Sequence, residues 1–165
     1  MITNRIRKQR TQAKPPSEYL RGMPRILHDF IIRATPDKVF HGISTPAEVN
    51  KWWSLECTGT PAAGGEYRLF FGEPWDRRAR VSRYEKDRAF EWEMVVAMDD
   101  WVGARVGFEL EPVEGGTKVR FHHSGWAEES EHFRISSYCW AMLLRLLKVY
   151  VETGAVTPHA HRALL

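Results

Sequence analysis

The sequence predicts an α+β domain in which a curved antiparallel sheet of about six or seven strands wraps round one long C-terminal helix, with two short helices after the first strand. Three observations predict it. Between Gly64 and Trp126 apolar residues recur with a period of two, in segments bounded by glycine-containing turns. A single long stretch, from about Glu128 to Thr153, carries apolar residues at helical spacing. No alternation of strands with helices separates the extended segments, so they pair antiparallel and turn one face to the core.

Taken in order, "RILHDFIIRA" is β-branched and apolar enough for a first strand. "TPDKVFHGIS" then carries a helix start, with Thr35 as N-cap, Pro36 at the first helical position and Asp37 in the first turn. "TPAEVNKWWS" repeats the device from Thr45 and Pro46, and brings Val49, Trp52 and Trp53 to the end of a second short helix. From Gly64 and Gly65, which permit the turn that starts the next strand, Tyr67, Leu69 and Phe71 alternate with Glu66, Arg68 and Phe70. "GEPWD" turns the chain into "RRARVSRYE", completing a hairpin.

"RAFEWEMVVAM" places Phe90, Trp92, Met94 and Val96 on one face, and "WVGARVGFELEPV" does the same with Val102, Ala104, Val106, Phe108 and Leu110. "GGTKVRFHHSGW" adds Thr117, Val119, Phe121 and His123 after a Gly115-Gly116 turn. The final helix stops at Gly154, with Pro158 beyond. Its stretch from Trp140 to Val151 is apolar almost all round, so it covers the sheet with one face and offers surplus apolar surface on another. Residues 25–156 are therefore expected to form one domain, residues 1–24 a basic extension without stable structure, and 157–165 a short tail.

The totals narrow the function classes. The 165-residue chain is 43% hydrophobic and carries a net charge of +3. Seven of its 24 Lys and Arg, but one of its 21 Asp and Glu, lie in Met1–Arg25, so the remainder carries 17 basic against 20 acidic residues. The basicity belongs to the extension, and no nucleic-acid partner is expected. Met23, directly before the first strand, offers an alternative start. No apolar run approaches a bilayer span and no secretory signal is legible, so a cytoplasmic protein without membrane insertion is expected. Cys57 and Cys139 lack metal-ligand spacing and read as reduced thiols.

The order of elements, together with "ATPDKVFHGISTPAEVNKWW", "GGEYRLFFG", "GGTKVRFHHSGW" and Trp140 in the last helix, resembles the SRPBCC or START-like helix-grip superfamily. Within it the chain is similar to the AHSA-type branch, named after the activator of the heat-shock-protein-ninety ATPase. The resemblance spans roughly Ile26 to Gly154. It implies a helix-grip fold with a hydrophobic cavity and no particular reaction, since the superfamily holds ligand carriers and aromatic-polyketide cyclases alike.

The candidate site is read against plainer alternatives. Trp52 and Trp53 point about 100° apart on their helix, so one packs under the sheet while the other reaches the mouth of a pocket. His122 and His123 fall on opposite faces of their strand and cannot share a metal ion; His123 points inward, as a buried histidine or as a polar anchor for a ligand. His132 approaches the same mouth, whereas His159 and His161 lie in the tail. Glu91, Glu93 and Glu109 face solvent and pair with Arg80, Arg105 or Arg120. Tyr67, Leu69, Trp92, Met94, Phe108, Phe121, Trp140 and Leu144 either line the cavity or fill it.

The expected ligand-binding set is these eight residues with Trp52, Trp53 and His123; no catalytic residue, metal or cofactor is assigned. The expected function is binding of a small hydrophobic or amphipathic molecule between sheet and helix, without a defined reaction. Two alternatives stand beside it. One is a polyketide-cyclase-like enzyme using His123 as acid or base. The other is a protein-interaction or co-chaperone-like module using the surplus apolar surface of the helix from Trp140 to Val151; separately, a homodimer is a possible partner beside the small hydrophobic molecule.

Overall fold

The structure, a computed structural model, describes residues 22–162. Most of the extension expected over 1–24 thus lies outside the described residues. The chain runs through β1 (Ile26–Ile32), α1 (Pro36–Ser44), α2 (Pro46–Trp52), β2 (Glu56–Gly59), β3 (Glu66–Phe70), β4 (Asp76–Glu85) and β5 (Ala89–Val96). It continues through β6 (Arg105–Val113), β7 (Gly116–Ser124), α3 (Glu131–Thr153) and α4 (His159–Arg162). The strands form one antiparallel sheet in the order β1-β7-β6-β5-β4-β3-β2, curved round α3 with α1 and α2 alongside, as the sequence predicts.

The period of two does the positioning. Register pairs Val106 with His123, Phe108 with Phe121 and Leu110 with Val119, so the inward rows of β6 and β7 coincide. On the outer face Arg105 lies 3.8 Å from Glu91 and 3.7 Å from Glu93. Glu109 pairs with Arg83 at 2.8 Å, and Arg120 takes Glu111 instead. The exposed pairs among these contribute about 0–1 kcal/mol each; together they mark the outer face.

Thr35 and Thr45 occupy the N-cap positions of α1 and α2, each before its proline, but neither side chain caps a backbone N–H. The Thr45 hydroxyl instead meets His41 Nδ1 at 2.9 Å. Ser130 does cap α3, accepting from the Phe133 N–H at 3.2 Å, and Gly154 ends it with φ 76°. Gly65 is required by close approach: a Cβ there would stand 2.0 Å from the Thr60 carbonyl oxygen.

Three segments depart from the sequence reading. β2 pairs with β3 through "ECTG", a four-residue edge strand too short and polar to show a period. Val102, expected on a strand, sits in the β5–β6 turn, where Trp101 N–H donates to the Met98 carbonyl and Ala104 N–H to the Trp101 carbonyl. Burial of the Trp101 ring against Arg77 and His123 draws the chain into that turn and leaves Val102 exposed. Within the segment read as a tail, α4 folds back onto the end of α2: Arg162 donates to the carbonyls of Thr157 (2.9 Å), Ser54 (3.2 Å) and Asn50 (2.7 Å). Among the described residues no helix is long and apolar enough to cross a membrane.

Candidate functional site

Between the middle of the sheet and α3 the space is filled by rings. Trp92 stands at its centre, with centroids 4.8 Å from Phe90, 5.6 Å from Tyr67 and 5.5 Å from Trp53. Phe108 packs on Phe121 at 5.2 Å, and Phe121 on Trp140 at 4.7 Å. Edge and tilted contacts of this kind favour rings at 4.5–7 Å and leave little void. The short helices are locked to this core by two polar bonds: the Trp52 indole N–H donates to the Gly42 carbonyl at 3.0 Å, and the Tyr67 hydroxyl to the Ser44 carbonyl. Trp52, Tyr67, Leu69, Trp92, Met94, Phe108, Phe121, His123 and Leu144 are each at most 3% exposed.

The open volume lies at one end of the grip. A cavity of about 610 Å³ is bounded by the β3–β4 turn (Phe71, Trp75), the start of β4 (Arg77) and the β5–β6 loop (Met98, Trp101). Its other walls are the first half of α3, from His132 through Ser136 and Cys139 to Leu143, with His159 and Arg162 of α4. Of the residues expected from sequence, the structure brings Trp53 and Trp140 to this wall, and their rings touch at 5.0 Å. The other nine lie behind it. Within the tryptophan pair, Trp52 is the core residue and Trp53 the one at the cavity.

Sequence reading missed Phe71, Trp75, Arg77 and Trp101. Trp75 carried a signal, a bulky apolar residue inside a turn; Arg77 carried none, because a strand arginine reads as solvated until its register is known. Arg77 pairs with Leu69 across the β3–β4 ladder, and Leu69 is fully buried, so Arg77 leaves the sheet on the inner face. Its guanidinium lies 4.3 Å from the Trp101 ring centre and 4.7 Å from that of Phe71. Burial lowers its pKa to about 10, partly offset by the charge of Asp100. Asp100 is itself engaged, with His132 Nδ1 2.6 Å from its Oδ2, and the His132 ring stacks on Trp101.

His123 sits behind the wall. Its Nδ1 accepts from the Trp140 indole N–H at 3.0 Å, which puts the ring proton on Nε2. Trp101 and Trp126 close round it at 4.5 and 4.8 Å. Burial, reinforced by nearby positive groups, pushes its pKa down to about 3, so it stays neutral. His122 points the other way, over Gly107, where a Cβ would stand 2.3 Å from its ring, and meets Glu91 at 2.9 Å. Burial pushes the Glu91 carboxyl up, but hydrogen bonds from His122 and Ser82 outweigh it and hold the group below its ordinary value. Cys57 is buried, its thiol pushed up to about 12, whereas Cys139 lines the cavity. Among the described residues no three His, Cys, Asp or Glu side chains come together in a group able to hold a metal ion.

Residues 33–152 match a family model described as activator of Hsp90 ATPase homolog 1-like protein. Among solved structures, the fold is similar to the Aha1 dimer from Colwellia psychrerythraea, at 28% identity over 80% of this chain and 98% of that one, with a TM-score of 0.72. It is also similar to protein MLL2253 from Mesorhizobium loti, at 16% identity over 81% and 100% of the two chains, TM-score 0.71. CalU16 from Micromonospora echinospora shares 19% identity over 85% of this chain and 81% of that one, TM-score 0.64. The last two likenesses show the fold alone. No curated protein matches the chain by sequence.

Proposed function

From the premise that this chain belongs to the family of activator of Hsp90 ATPase homolog 1-like proteins, we propose that it binds a small hydrophobic or amphipathic molecule at the open end of its helix grip. The observation that carries this reading is the cavity of about 610 Å³ walled by Trp53, Trp75, Trp101, Trp140 and Leu143. That size suits a ligand of drug-like dimensions, and burial of its apolar surface would contribute about 25 cal/mol per Å². Trp75 is 48% exposed at the rim, so the binding surface is continuous with solvent. No defined reaction is part of the reading. A cyclase using His123 as acid or base would need that ring at the wall, where Trp101 and Trp140 stand instead.

The test is fluorescence titration with N-phenyl-1-naphthylamine, a neutral probe that brightens in apolar sites. Saturable brightening is expected for the wild type, and its loss for Leu143→Trp, which fills the cavity from the α3 side. Equal responses from both proteins, with both folded, would exclude this cavity as the site. The protein partner we propose is a second copy of the chain, supported by the dimeric Colwellia relative; a monomer mass at every concentration in sedimentation equilibrium would remove it.

A further inference from the structure

The cavity wall holds one arginine, Arg77, that makes no hydrogen bond and no close ion pair among the described residues. The inward row of β4 reads Arg77, Ala79, Val81, so an arginine takes the place where an apolar residue continues the core. Its Nε is buried and has no hydrogen-bond partner among the described residues. Asp100 acts on it through space, while the Asp100 carboxylate is held at 2.6 Å by His132.

The other arginine of the lining is spent otherwise: Arg162 donates three hydrogen bonds to backbone carbonyls. On the outer face Arg68, Arg83, Arg105 and Arg120 each pair with carboxylates. Arg77 differs from them in having no carboxylate partner and in lying over two rings, those of Phe71 and Trp101. Cation–π contacts offset part of the cost of burying a guanidinium and anchor it at the cavity wall. Its N–H donors have no hydrogen-bond acceptor among the described residues. A planar fork with unspent donors matches a carboxylate, sulfonate or phosphate oxygen pair better than any neutral group.

We propose that the cavity selects an amphipathic oxyanion, an apolar body carrying a single anionic oxygen group that the Arg77 fork receives beside Phe71 and Trp101. This names the ligand class for the cavity reading above and rests on it. The body lies against the indoles of Trp53, Trp101 and Trp140, and the charge is neutralised within the site, so the protein binds the deprotonated acid and not its ester or amide.

A matched probe pair tests it: 8-anilinonaphthalene-1-sulfonate, and N-phenyl-1-naphthylamine, which has the same rings without the sulfonate. A hydrogen-bonded ion pair in a part-buried site is expected to give the sulfonate an advantage of about tenfold or more in Kd. In folded Arg77→Leu the two probes should bind with equal affinity, and Arg77→Lys should restore part of the sulfonate advantage. Equal affinities of the wild type for the two probes would overturn the proposal without any variant, even if Arg77→Leu failed to fold. A sulfonate advantage that survives in folded Arg77→Leu would also overturn it, by placing the anion elsewhere. Failure of both probes to bind the wild type would instead sink the cavity reading itself.

Discussion

The middle of the grip and its open end are made from the same kinds of residue, tryptophan, phenylalanine and leucine on a concave sheet facing α3, yet one is solid and the other hollow. The difference lies in what stands opposite. In the middle, α2 contributes Trp52 and α3 contributes Trp140, Leu144 and Leu147, each at most 3% exposed. At the open end, the α3 positions that face the sheet include Ser136 and Cys139, and the inward residue of β4 is a cation. Short side chains remove the volume that would fill the space, and the guanidinium stands where the core row of β4 would continue with an apolar side chain. The cavity in this chain is thus set by a few short side chains on α3 and one cation on β4, beside a core of rings.

The sharpest way to break that comparison is to truncate one tryptophan from each region. Trp92→Ala removes the ring that Phe90, Tyr67 and Trp53 all touch, and it should cost about 3–5 kcal/mol of unfolding free energy. Trp75→Ala removes a half-exposed ring at the rim and should shift stability by no more than about 0.5 kcal/mol, while weakening the neutral probe several-fold. Urea unfolding of both variants measures this. Similar losses from the two would mean that the cavity end is packed like the rest.

How far each region was legible in the sequence follows the same division. The strands from Tyr67 to His123, the two proline-opened helices and the long helix ending at Gly154 all announced themselves, because period and capping are local properties. The filled core was legible too: Tyr67, Trp92, Phe108 and Phe121 were expected inside and lie there. The cavity was expected among those same residues, and the open volume lies beside Trp53 and Trp140 at the end of the grip. Its wall is assembled from loop residues such as Trp75 and Trp101, from Arg77 and from α4, which sit there through long-range packing with no local pattern. β2 was missed for a related reason, since "ECTG" becomes a strand only by pairing with β3.

His123 marks the boundary between the two regions, and its titration reports on which side it lies. The structure places it in the solid part, neutral, with a pKa of about 3 against an ordinary value of 6.5. As pH falls below 6.5 the unfolded chain takes up a proton at this residue and the folded protein does not, so stability declines with falling pH through that window, until about pH 3. The slope from this group approaches about 1.4 kcal/mol per pH unit. Glu91 and Glu152, whose carboxyls are held below their ordinary value, add a slope of the same sign as pH approaches 4.5, and His159, also lowered by burial, adds a further change of that sign. His123→Gln keeps an acceptor for the Trp140 indole and removes the titration. Urea unfolding at intervals across that window should therefore show a steep pH dependence for the wild type and a shallower one for the variant. Matching slopes would mean that His123 is protonated in the folded protein as readily as in the unfolded chain. Water, and with it a ligand, would then reach past Trp101, and the cavity would extend into the part of the grip that the rings otherwise fill.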